Sequence, residues 1–107
     1  MAGGPEVTAS GQHPRHQLDD HLTHPVRFSL TAALAATEEL EFAAARDHLQ
    51  VSDSVLSRQA SALEVAGIVR IKKGYVGKRP RTWFSLTPAG RRTWEAHLAA
   101  LREIAGG

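Results

Sequence analysis

Residues 52–69, SDSVLSRQASALEVAGIV, spell a helix with both ends marked, and no other stretch restricts the fold so tightly. Ser52 is a good N-cap, and Asp53 puts a negative charge in the first turn, where the helix dipole favours it. Gly67 stands where a left-handed residue is wanted past the last turn, with Ile68 as its hydrophobic partner. At 100° per residue, Leu56, Ala60 and Leu63 share one narrow sector, which must face a core. Two β-rich runs follow, VRIKKGYV and RTWFSL, joined through GKRP. A two-stranded hairpin is not stable alone. It has to lie on the helices, with Val69, Ile71, Phe84 and Leu86 turned inward. TPAG then restarts a helix, with Thr87 as N-cap and Pro88 at the first helical position.

Upstream, residues 1–15 are rich in Gly and Pro and read as a mobile tail. A short helix is expected over residues 16–22, broken at THP because the residue before Pro25 is pushed out of the helical region. Val26, Leu30, Ala33 and Leu34 make a helical stripe over residues 26–36. TEEL reads as a connection, and a second helix runs from about Glu41 to Leu49, with Phe42, Ala45 and Leu49 apolar. The terminal helix carries Trp94, Leu98, Leu101 and Ile104. The expected fold is mainly α with a two-stranded β-hairpin wing, in the order α-α-α-α-β-β-α: a winged helix-turn-helix. Residues 16–105 form the one domain.

The 107 residues carry a net charge of only +2, but the distribution is uneven. Arg70 to Arg92 holds eight of the 13 basic residues and no acid, so this stretch makes a positive field that suits a polyanion. The absence of cysteine excludes disulfides, thiolate metal sites and thiol redox sensing. No secretory h-region and no apolar run of about 20 residues is present, so a cytoplasmic chain with no membrane partner is expected. Gly-rich phosphate loops, nucleophile motifs and paired catalytic acids are all missing, which argues against an enzyme.

The face of the third helix opposite its apolar seam holds Ser54, Arg58, Ser61 and Val65, flanked by Ser57 and Ala62. Small polar side chains let a helix backbone approach base edges, and arginine grips guanine with two hydrogen bonds. Serine is a mediocre helix former, so four of them between 52 and 61 run against propensity. The first residues of a recognition helix reach deepest, which adds Ser52 and Val55. On the hairpin, Lys72 and Lys73 precede a tip where Lys78, Arg79 and Arg81 surround a Pro-stiffened turn, suited to a phosphate backbone or a minor groove.

From about Leu18 to Leu101 the sequence resembles the winged-helix domain of small bacterial transcriptional regulators, close to the MarR and ArsR groups. HPVR (24–27), VSDSVLSRQASALEVAGIV (51–69) and KKGYVGKRPRTWFSLTPAGR (72–91) carry the likeness. The resemblance implies a homodimeric regulator of double-stranded DNA, with recognition helix 53–66, wing 70–86, and first and last helices building the dimer. Two residues depart from it: Ala60 stands where such helices usually carry a larger apolar residue, and Trp83 where such wings more often carry a charged or polar side chain.

Dimerisation is also expected from the pattern: the last helix has an apolar stripe and few core residues remain to cover it. Leu18, Leu22, Trp94, Leu98, Leu101 and Ile104 are the candidate interface. Repression is favoured over activation because a small chain shows no separate activation surface. Two alternatives stand beside this reading. One is a metal sensor: His13, His16, His21 and His24 cluster with Asp19 and Asp20, and His21, His24 and His97 are candidate ligands. The other is a protein-docking winged helix anchored by Trp83 and Tyr75. No cofactor is expected, and the sequence does not reveal an effector.

Overall fold

A computed structural model describes residues 12–106. The order is two 3-10 turns (Pro14–Gln17 and Asp20–Thr23), α1 (Pro25–Ala35), β1 (Leu40–Glu41), α2 (Phe42–Leu49), α3 (Asp53–Val65), β2 (Val69–Val76), β3 (Arg79–Leu86) and α4 (Pro88–Ile104). The expected fold class holds: four helices with an antiparallel wing. Two local expectations are corrected. The helix over residues 16–22 is replaced by 3-10 turns, because Asp19 caps its own short turn through the His21 N–H and interrupts any longer run. The TEEL connection ends in a strand: β1 pairs with β3, Leu40 opposite Phe84 and Glu41 opposite Trp83, giving a sheet ordered β1-β3-β2. The expected tail lies outside the described residues as far as residue 11, and Pro14 and Arg15 belong to the first 3-10 turn.

α1 starts at an N-cap supplied by a histidine. His24 Nδ1 accepts from the Val26 N–H at 3.1 Å, and Pro25 opens the helix. Leu30 and Leu34 are fully buried, whereas Val26 and Ala33 are only half-buried. They meet Ala45 of α2, Leu56, Ala60 and Leu63 of α3, Val69 and Phe84 of the wing, and Trp94 of α4 in one core. Arg27 crosses its edge, donating to the His21 carbonyl at 2.9 Å and to Gln59 Oε1 at 3.2 Å, so the 3-10 segment, α1 and α3 share one side chain.

α3 ends as its sequence requires. The Gly67 N–H reaches the Glu64 carbonyl and the Ile68 N–H the Leu63 carbonyl, both at 2.9 Å, with Gly67 at φ +78°. That pair of bonds is the Schellman arrangement, and it turns the chain straight into β2. Thr87 then binds the far end of the wing to this turn: its N–H donates to the Ile68 carbonyl at 3.0 Å and its hydroxyl to the Gly67 carbonyl at 2.6 Å. The same hydroxyl accepts from the Gly90 N–H at 2.8 Å, capping α4.

Gly90 is buried against that junction, where a Cβ would overlap the Ile68 backbone. Gly90→Ala is therefore expected to destabilise the fold by about 1–3 kcal/mol, because backbone cannot yield as a side chain tip can. Urea unfolding midpoints for the two proteins check this; a shift below a few tenths of a kcal/mol would show that the junction relaxes freely.

Candidate nucleic-acid interface

α2 and α3 meet through a three-residue turn whose first member, Gln50, takes the left-handed conformation at φ 58°. Arg46, near the end of α2, spans the turn and donates to Asp53 Oδ1 at 3.1 Å and to Asp47 Oδ1 at 2.9 Å. These two carboxylates hold the guanidinium pKa above its ordinary value, with Asp47 the larger influence. The start of α3 is capped by Ser52, whose hydroxyl accepts from the Val55 N–H at 3.2 Å and lies 3.3 Å from the Ser54 hydroxyl.

The wheel of α3 comes out as the sequence orders it. Leu56, Ala60 and Leu63 are inside, while Ser54, Ser57, Arg58 and Ser61 are exposed. Val65 continues the outer seam at 89% exposure. Val55 and Ala62 are half-buried on one flank, so they offer less surface than the other expected contacts. Arg58 makes no ion pair among the described residues.

The wing turns its two faces to different tasks. Val69, Ile71, Phe84 and Leu86 face the helices as expected, Val69 opposite Leu86 and Ile71 opposite Phe84. Lys73 and Thr82 continue that face outward, and with Ser57 and Ser61 of α3 they border an open cleft of ≈ 550 Å³. Glu64 of α3 stands on the same border, so the cleft presents one cation, Lys73, and one carboxylate between the serines and the hairpin.

The hairpin loop is shorter than GKRP suggested. Val76 pairs with Arg79, so only Gly77 and Lys78 form the turn, with Gly77 at φ +63°. A positive φ at the first loop residue alone identifies a type II′ turn, whose twist suits a hairpin. Arg79 and Pro80 therefore belong to β3. Pro80 is tolerated because, two residues from the loop, it faces Tyr75 in a pair that exchanges no hydrogen bond, and β1 is too short to need its missing N–H.

The expected cluster of wing cations is divided by acids that the hairpin sequence itself does not contain. Arg81 Nη1 lies 3.1 Å from Glu41 Oε2, and Lys72 Nζ lies 3.6 Å from Glu39 Oε1. Both acids come from β1 and the residues before it. Lys73, Lys78 and Arg79 are left exposed, with no ion pair among the described residues. Lys72 also sits over the Trp83 ring, 5.1 Å from its centroid, and Gly74 leaves the room in which that ring lies. Trp83 is thus half-buried on the face away from the helices rather than fully exposed; Tyr75 is 71% exposed near the tip.

The proposed ligand histidines do not converge. His24 Nδ1 is committed to the α1 cap, His97 Nδ1 accepts from the Asp19 N–H at 3.0 Å, and His21 Nδ1 faces Asp19 Oδ1 at 3.2 Å. Among the described residues no three His, Cys, Asp or Glu side chains come together to hold a metal ion. The expected dimer residues divide as well. Leu22 and Trp94 are 1% and 9% exposed because the chain's own core encloses them, so they have no area to offer a partner. Leu18, Leu98 and Leu101 are half-buried and Ile104 is exposed.

Comparison with known proteins follows the same geometry. The family model described as a winged helix DNA-binding domain matches residues 26–105. A transcriptional regulator homologue from Pyrococcus horikoshii OT3 shares the fold at TM-score 0.79 and 24% identity, covering 87% of this chain and 93% of that one. A probable transcriptional regulator from Pseudomonas aeruginosa matches at TM-score 0.65 and 26% identity over 76% of this chain, which spans 60% of that protein. The overoxidized AbfR bound to DNA matches at TM-score 0.69 and 19% identity, covering 83% of this chain and 68% of that one. No curated protein matches the chain. Among the described residues no helix is long and apolar enough to cross a membrane.

Ser52 and Ser54 are neighbours with separable roles. Ser52→Ala is expected to cost about 1 kcal/mol through the lost cap, and Ser54→Ala to stay within about 0.5 kcal/mol. Thermal melts of the two variants read the difference; equal losses would mean that Ser54 shares the capping duty.

Proposed function

This chain belongs to the winged helix DNA-binding domain family, and we propose that it acts as a homodimeric, sequence-specific regulator of transcription on double-stranded DNA. The observation that carries this reading is one surface. The exposed face of α3 bearing Ser54, Arg58 and Ser61 stands beside a wing whose Lys73 borders an open cleft with Ser57 and Ser61, while Lys78 and Arg79, without an ion pair among the described residues, sit at the hairpin tip. In the proposed complex α3 enters the major groove, Arg58 grips a base edge, and the serines make short contacts to bases or phosphate. The wing tip follows the backbone or enters the adjacent minor groove. Lys72 and Arg81 act mainly within the fold, through Glu39 and Glu41. The DNA-bound AbfR structure supports this placement as an analogy of fold.

Leu18, Leu98, Leu101 and Ile104 are the proposed dimer contacts, at the end of the molecule formed by α4 and the 3-10 segment. Two copies related by a two-fold axis would read a pseudo-palindrome with half-sites roughly 34 Å apart. Repression is the proposed sign of regulation: a dimer seated on an operator acts most simply by excluding other proteins from it.

Fluorescence anisotropy with DNA from upstream of the chain's own gene, against random duplex and across a salt series, tests the reading. Arg58→Ala is expected to lose about 1–3 kcal/mol on the selected fragment and to relax its preference for it. Arg79→Ala is expected to weaken every duplex alike and to lower the salt slope by about one. Glu41→Gln, which releases Arg81, should do the reverse and steepen the slope. Absence of binding to any duplex at low salt would overturn the proposal. Salt-indifferent capture of a protein partner, lost on changing Trp83, would replace it with the docking reading.

A further inference from the structure

We propose that one hydrogen bond, from the Asp19 amide to the buried His97 imidazole, is an acid-sensitive catch holding the N-terminal strap of residues 14–23 against α4. The bond joins groups 78 positions apart in sequence at 3.0 Å, and His97 is 2% exposed. The strap it secures carries Leu22 into the core. Between strap, α1 and α4 runs an apolar groove of ≈ 430 Å³, bordered by Leu18, Phe28, His97 and Leu101.

An amide can only donate, so His97 Nδ1 must offer its lone pair, which fixes a neutral ring with its hydrogen on Nε2. Adding a second proton places an N–H on Nδ1 directly opposite the Asp19 N–H. Two donors then face each other in a buried site, and the catch opens. Burial pushes His97 below the usual histidine value, and the Asp19 carboxylate offsets this only in part. That carboxylate is itself engaged by His21 at 3.2 Å. The α1 residues that share the groove with His97 are Pro25, Phe28 and Ser29, none of which titrates, and Phe28 lies 5.9 Å from His97 between ring centroids. From the strap the Asp19 carboxylate is the charge that acts on His97, and Leu101 on α4 adds none.

Because the closed strap lowers the histidine value, the attachment is complete above the ordinary value of about 6.5 and is lost as pH falls through the lower one. Between those two values each unit of acidification shifts the closed-to-open ratio by about tenfold. Opening uncovers Leu22 and displaces Leu18, a residue of the proposed dimer surface. The functional consequence therefore rests on the dimeric DNA-binding reading: acid loosens the dimer and with it the operator complex.

NMR of the full chain from about pH 8 to about pH 5 follows the Asp19 amide and the His97 ring together, with DNA anisotropy over the same range. The expected result is one shared midpoint below the ordinary histidine value for ring protonation, movement and faster exchange of the Asp19 amide, and loss of operator affinity. His97→Gln keeps an acceptor oxygen without titration, and should leave the amide and the affinity flat across the range. Asp19→Asn keeps the amide donor and the capping oxygen but removes the charge, and should move the midpoint lower; it serves as well if His97→Gln does not fold. An Asp19 amide that ignores the protonation of His97, or an unmoved midpoint in Asp19→Asn, overturns the catch. A strap that titrates as expected in a protein binding no DNA at any pH overturns the DNA reading and leaves the catch in place.

Discussion

The geometry of this molecule depends on the junction where Thr87 closes over Gly67 and Ile68. One hydroxyl bonds the Gly67 carbonyl, caps α4 through Gly90, and sits beside a backbone bond from Thr87 to Ile68. The end of α3, both bases of the hairpin and the start of α4 are thereby brought to a single point. The direction of the wing relative to the helix beside it follows from that point, as does the placement of the last helix. Gly90 is required there for closeness rather than flexibility, since the backbone of Ile68 occupies the space of a side chain. A two-stranded ribbon is too weak to hold an orientation unaided. Anchoring at its base, with Phe84 and Val69 in the core, allows its tip to project.

Charge on the wing is shaped by a two-residue strand. β1 is too short to add much to the sheet, yet it brings Glu41 to Arg81, and Glu39 lies just before it beside Lys72. Exposed pairs of this kind contribute little to stability. Their effect is on distribution: of the six cations on β2, β3 and their turn, Lys72 and Arg81 are paired with acids, and Arg70, Lys73, Lys78 and Arg79 are left without an ion pair among the described residues. Free cations at the tip and at Lys73 beside α3 suit a backbone that passes between helix and wing.

Much of this was legible beforehand. The caps of α3, its buried seam, Gly67, the inward residues of the hairpin and the Thr87–Pro88 start of α4 all follow from local rules, because each is set by neighbours in sequence. What escaped depends on distant partners or on brevity. Leu40 and Glu41 have no periodicity to detect, and only Phe84 and Trp83 across the sheet make them a strand. Arg81 and Arg79 look equivalent in sequence; pairing to Glu41 separates them. Gln50 adopts a left-handed turn without the glycine that would announce it. Leu22 and Trp94 belong to apolar stripes, but a stripe does not say whether its own chain or a second one covers it. The Asp19–His97 bond spans 78 positions and carries no local signature.

The central claim is spatial: duplex DNA meets the outer face of α3 and the wing tip, and no other surface. Amide and side-chain shift mapping during titration with a duplex tests it most directly. The account predicts that the largest changes fall on Ser54, Arg58 and Ser61 and on Lys78 and Arg79, bordering the cleft at Lys73, while the Trp83 indole stays still under Lys72. Changes concentrated at Trp83, or at α4 with α3 silent, would contradict it.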